Sequence, residues 1–170
     1  MQLPNRKTIR AQRHDYASAG IYFVTICTQD RVHYFGKLQN EIMIYTDIGK
    51  ICDQDINNMP NHWWNLQICE YVIMPNHIHL LLSIGESNNT KPHLIDNLTK
   101  SIWPKFGSLW YMINLLKWWI TKKSKKSGYI FWWHSRYHDH IVRSQQEYDN
   151  IQQYIIHNPV KRSDDKFYHE

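Results

Sequence analysis

The chain has no run of 18 or more apolar residues, and its first twenty residues are polar and basic. A membrane span and a secretory leader are therefore not expected, and the reading is of a cytoplasmic protein without a membrane partner. Cysteine is scarce. Cys27, Cys52 and Cys69 are odd in number and lack metal-type spacing, so they read as reduced core residues. No internal repeat and no second domain can be discerned. Disorder is also not expected, because 42% of the residues are hydrophobic and only 21% charged. A length of 170 residues suits one domain, 1–170, with residues 1–20 as a basic N-terminal arm.

What the chain does have is positive charge and aromatic rings. The formal charge is +5, and the cations are clustered: Arg6, Lys7, Arg10 and Arg13 near the start, then Lys122, Lys123, Lys125 and Lys126. Eight tryptophans and eleven tyrosines accompany them. Basic clusters attract phosphates, and flat rings can stack unpaired bases, although a solvated surface over an aromatic core has the same composition.

Periodicity gives an element order. Ile21 to Thr28 is rich in β-branched and aromatic residues and reads as a strand buried on both faces, with a hairpin following through Gly36 to Tyr45. Thr46 is placed to cap a helix carrying Ile48, Ile51, Cys52 and Ile56, which Pro60 ends. Leu66 to Met74 and His79 to Ile84 read as an antiparallel strand pair about Pro75-Asn76. Leu109, Met112, Ile113, Leu116 and Ile120 mark a second helix, and Lys122 to Gly128 reads as a mobile basic connection. His140 to Val142 suggests a short fourth strand. Ser144 and Glu147 have capping-box spacing for a last helix that stops near Asn158, before Pro159. The expected fold is α+β, order β-α-β-β-α-β-α, a ferredoxin-like split βαβ with an antiparallel sheet and its helices on one face.

His77 and His79 fall on one side of an extended segment, so both imidazoles could meet one ion. Eleven histidines would give about 0.7 such pairs by chance, and a second pair, His138 and His140, competes. On the last helix Tyr154 and Asn158 share one face, and Tyr148 and Gln152 share another, about 120° around the helix. A core tyrosine and a helix stop would explain Tyr154 and Asn158 equally well.

Four ordered stretches carry more information together. Val72 to Leu80, with its His-Ile-His, resembles a segment of the REP-associated tyrosine transposases, which belong to the single-tyrosine insertion-sequence transposases. Ala19 to Thr28 with Arg31 and Phe35-Gly36, Trp133 to Arg143, and Tyr154 to Lys161 resemble the same family. Lys91 to Trp119 departs from it, placing Trp103, Trp110, Trp118 and Trp119 where the family has a more basic helix.

The resemblance implies a metal-dependent single-strand DNA endonuclease and strand transferase acting at hairpin-forming DNA. Tyr154 would be the nucleophile, and His77, His79 and Asn158 would hold a divalent ion, Mg²⁺ or Mn²⁺. The wider class more often has glutamine at the position of Asn158, and the neighbouring His157 is a competing ligand. The two basic clusters, with Arg143 and Lys161, would contact the nucleic acid. A non-catalytic hairpin-binding module and a zinc-stabilised protein stand as alternatives. Monomer and homodimer are both compatible with the sequence.

Overall fold

The structure is a computed structural model and describes residues 19–86 and 108–160. The arm cations Arg6, Lys7, Arg10 and Arg13, and Lys161, lie outside the described residues.

β1 (Gly20–Thr28) enters the middle of a four-stranded sheet of order β4-β5-β1-β6, with β4 (Leu66–Met74), β5 (His77–Ile84) and β6 (Trp133–Val142). Every pairing in that sheet is antiparallel. Counting only these four strands, the order is 2-3-1-4, the ferredoxin-like arrangement. The expected small hairpin is β2 (Gly36–Gln39) with β3 (Ile42–Tyr45). Asn40 and Glu41 turn it with positive φ at both positions, as the right-handed twist of a two-residue hairpin requires.

α1 (Asp47–Asn58) begins where Thr46 Oγ1 accepts the Gly49 amide, and Pro60 lies in the short 3₁₀ turn that follows it. α1 and α2 (Leu109–Lys126) pack together over one sheet face. Alternation assigns that face: Tyr22, Val24 and Ile26 of β1 meet Ile78, Leu80 and Leu82 of β5 there, beneath Met112, Ile113 and Leu116. α3 (Gln145–His157) lies on the opposite face, where Leu81, Val142 and Ile155 are buried with Phe23, Tyr148 and Ile151 packed around them. The helices therefore do not share one face. The sheet is buried on both sides: β1 carries apolar residues at odd and even positions, whereas β5 turns Ile78, Leu80, Leu82 and Ile84 to one face and His77, His79 and Leu81 to the other.

Two element boundaries also differ from expectation. Lys122 to Lys126 is helix rather than connection, and α2 stops only ahead of Gly128, whose φ of 86° is left-handed. Lysine is a good helix former, and Ser124 is fully buried on the inner side of that last turn. β6 begins at Trp133, seven residues before His140. It is an edge strand carrying His, Ser, Arg and Asp at most positions, so it lacks the apolar run that marks a central strand.

No helix among the described residues is long and apolar enough to cross a membrane. Cys27, Cys52 and Cys69 form no disulfide among the described residues, the first two being buried and the third half-buried. α1 closely approaches the residue just ahead of β2 at Gly49, where a Cβ would lie 2.1 Å from the Phe35 carbonyl oxygen. Gly49→Ala should therefore cost about 1–3 kcal/mol, read as a lowered denaturation midpoint in urea.

Candidate active site

The site is built on the face that α3 covers. β5 places His77 and His79 on one side of the sheet, both fully buried, with ring centroids 4.7 Å apart. Each imidazole is held from its Nδ1. Asn76 Oδ1, an obligate acceptor, accepts a hydrogen bond from His77 Nδ1–H at 2.7 Å. Thr25, directly across from His79 on β1, brings Oγ1 to 2.8 Å from His79 Nδ1. Tyr154 Oη lies 3.2 Å from His79 Nε2. A phenol donates more readily than an aliphatic alcohol, so the consistent pattern has Tyr154 donating to Nε2 and Nδ1–H donating to Thr25. Both imidazoles then carry their proton on Nδ1, and His79 turns Nε2 to Tyr154 of α3.

The turn before β5 is anchored as firmly as the strand. The Thr28 amide and hydroxyl donate to the Asn76 carbonyl at 2.9 and 3.0 Å, and the Phe35 amide donates to that of Pro75 at 3.0 Å. Asn76, fully buried, also donates its side-chain amide to the Arg31 carbonyl at 3.3 Å. The segment Arg31 to Gly36 thus fixes the position from which His77 projects.

α3 supplies the phenol. Ser144 Oγ accepts the Glu147 amide at 3.2 Å. Glu147 accepts the Arg143 amide and meets His140 Nε2 at 2.6 Å, and these hydrogen bonds hold its carboxyl below the usual range. This junction ties β6 to the first turn of the helix. Tyr154, 36% exposed, stands edge-on to Phe23 and 5.3 Å from the His79 ring, while Phe23 stacks on His79. Tyr148, six residues earlier, packs against Cys69 of β4 instead, where burial pushes its phenol up. Only Tyr154 of the two meets a histidine of the His-Ile-His segment.

Asn158 caps α3 and is 1% exposed. Its side-chain oxygen and nitrogen are both buried without a hydrogen-bond partner among the described residues. A buried primary amide in that state costs on the order of 1–3 kcal/mol, so it calls for a ligand. The neighbouring His157 is exposed and donates Nδ1 to the Gln153 carbonyl of its own helix. No group of three His, Cys, Asp or Glu among the described residues could hold a metal ion, so these residues form no closed zinc site. Two imidazoles plus a buried amide oxygen are a different donor set, and one that fits a divalent ion with open positions. Thr25 and Asn76 are the residues that sequence reasoning missed. The role of Thr25 emerges only with the pairing of β1 and β5, which puts its hydroxyl opposite His79.

The remaining candidates scatter. Lys123 pairs with the buried Asp55 of α1, and Lys122 lies over the Trp118 ring at 4.5 Å. These residues, with exposed Lys125 and Lys126, sit on α2, across the sheet from Tyr154. Arg143 is exposed at the β6–α3 turn, close to the site. His138 and His140 share the sheet face of His79, paired with Thr25 and Phe23 respectively.

No family model matches the chain. It is 32% identical over 168 residues to an uncharacterized protein of Haemophilus influenzae, covering 96% of this chain and 93% of that one. A second protein of that organism, named "Putative REP-associated tyrosine transposase", is 28% identical over 149 residues, covering 88% and 75%. A solved structure described as a REP-associated tyrosine transposase bound to a REP hairpin superposes with a TM-score of 0.59 at 18% identity, over 90% of this chain and 74% of that one. The chain is thus similar in sequence to a protein named as a REP-associated tyrosine transposase, and it shares the fold of a solved one.

Proposed function

We propose that this chain cuts and rejoins single-stranded DNA beside a hairpin, using Tyr154 as nucleophile and a divalent ion, Mg²⁺ or Mn²⁺, held by His77, His79 and Asn158. One observation carries the reading: the Tyr154 phenol lies 3.2 Å from His79, on a helix packed over the strand that presents both histidines. The relative solved with a REP hairpin supports the choice of DNA.

A phenol with a pKa of about 10 is a weak nucleophile at neutral pH. The ion would supply Lewis-acid polarisation of the scissile phosphate. The chain supplies placement. Thr25 and Asn76 fix the two imidazole rings, and the α3 junction at Ser144 and Glu147 holds the helix on which Tyr154 is aimed. Tyr154 Oη forms a bond to phosphorus as the bond from phosphorus to the 3′ oxygen breaks. The phenol gives up its proton and the 3′ oxygen gains one, leaving a 5′-phosphotyrosine and a 3′-hydroxyl. One phosphodiester bond replaces another, so a second 3′-hydroxyl can reverse the step without ATP.

The test is incubation of labelled hairpin, scrambled and duplex oligonucleotides with Mn²⁺, scored for covalent adducts whose DNA-bearing peptide is mapped. The expected adduct forms on the hairpin and maps to Tyr154, and binding weakens steeply with salt as phosphate contacts release counterions. An adduct on Tyr148 would transfer the chemistry to that residue. Tight hairpin binding with no adduct under any divalent ion would leave a binding module.

A further inference from the structure

Tyr154 stands at the His79 end of the histidine pair, and a second polar side chain, Arg31, stands at the His77 end. Cys27 is directly opposite His77 in the register of β1 with β5, so the two side chains leave the sheet on the same side, about 5 Å apart. The Arg31 guanidinium reaches back four residues and donates from Nη1 to Cys27 Sγ at 3.2 Å. That contact places a half-buried cation on the α3 side of the sheet, at the edge of the histidine pair. His77 and His79 are two residues apart on β5, which separates the two ends by about 7 Å along the strand, on the scale of one phosphate group.

The backbone is bent to bring the side chain there. Asp30 and Arg31, in the short turn Gln29–Arg31, hold φ of 52° and 58°, left-handed values that residues with a β-carbon adopt at a cost. The two parts of Arg31 do different things. Its carbonyl accepts the Asn76 side-chain amide at 3.3 Å and so supports the His77 ring, a service any residue could supply. Its side chain adds a permanent positive charge and a planar fork of N–H donors, which matches the oxygens of a phosphate. When the Tyr154 phenol loses its proton and bonds to phosphorus, negative charge collects on those oxygens. A cation already fixed beside them stabilises that charge without rearrangement.

We propose that Arg31 clamps the non-bridging oxygens of the phosphate lying between it and Tyr154, and is a catalytic residue alongside the ion. The inference rests on the cleavage reading for the identity of that phosphate, but the contact can be measured without cleavage.

The experiment uses the full chain carrying Tyr154→Phe, which lacks the nucleophile, with saturating Mn²⁺. It is titrated with a series of hairpins in which one linkage at a time beside the stem foot is a neutral methylphosphonate. Neutralising one particular linkage should weaken binding about tenfold, and adding Arg31→Gly should abolish that difference at this linkage alone. Adduct formation by a chain carrying only Arg31→Gly should be about 10²-fold slower at saturating Mn²⁺, and Arg31→Lys should restore part of it. Glycine accepts a φ of 58°, so the melting temperature should not fall. Arg31→Asn, also tolerant of left-handed backbone, repeats the measurements should glycine unsettle the turn. A loss spread over every linkage, or one cured by more Mn²⁺, makes Arg31 a support for the His77 ring and overturns the inference. So does a chain whose binding depends on no single linkage through Arg31, even where the unsubstituted chain forms its Tyr154 adduct. Dependence on one linkage in a chain that forms no adduct upholds the contact and removes the cleavage reading.

Discussion

Tyr154→Phe should bind a hairpin oligonucleotide as tightly as the unsubstituted chain while forming at least about 10³-fold less covalent adduct, the loss expected when a nucleophile is deleted outright. The phenol oxygen is the only atom removed. The ring keeps its edge contact with Phe23 and its place beside His79, and a position 36% exposed tolerates the loss of one hydroxyl. Tyr148→Phe is the matched control, since that ring packs at Cys69 on β4. It should retain the adduct. An adduct that survives Tyr154→Phe at undiminished yield would sink the assignment.

Replacing either His77 or His79 with alanine should lower cleavage by about 10²-fold or more and leave hairpin affinity largely intact, and EDTA should do the same to the unsubstituted chain. A graded version separates the ion site from general disruption. Thr25→Val removes the hydroxyl that orients His79 but keeps the β-branched shape in the strand, and should cost 10- to 100-fold through weaker metal affinity, partly restored by raising Mn²⁺. Titration of Mn²⁺ against adduct yield is the measurement. Full cleavage in EDTA would contradict the reading, and loss confined to His138→Ala or His140→Ala would move the site to the other histidine pair.

The central strands and the starts of α1 and α3 could be read from the sequence because each had a local cause. Apolar residues on both faces mark β1, the apolar run Leu80 to Leu82 marks β5, and hydroxyl caps at Thr46 and Ser144 start helices where the first turns need acceptors. What could not be read depended on tertiary neighbours. β6 hides its length behind polar residues because an edge strand buries little, and the last turn of α2 persists because Ser124 and Lys123 pack toward α1. The side of the sheet taken by α3 follows from Phe23, Leu81 and Val142 being apolar on the second face, a pattern visible only once the register is known. For the site, spacing placed His77 beside His79 and separated Tyr154 from Tyr148 on the helix. The family resemblance, rather than spacing, favoured Tyr154. Thr25 and Asn76 were illegible because a lone threonine or asparagine acquires meaning only from the ring it touches.

The two faces of the sheet divide the molecule's labour, and this bears on how such a chain changes under selection. Most of the fully buried apolar side chains lie between the sheet and the α1–α2 layer, whereas the α3 side buries few and gives its space to two imidazoles and an amide. Buried polar groups of this kind are kept at the expense of stability. Once selection on the chemistry relaxes, apolar replacements at His77 or Asn158 become neutral or favoured, while the opposite layer continues to hold the fold. Lineages that lose the reaction are thus expected to drift toward sturdier proteins rather than toward unfolded ones, and the scaffold outlives its first use.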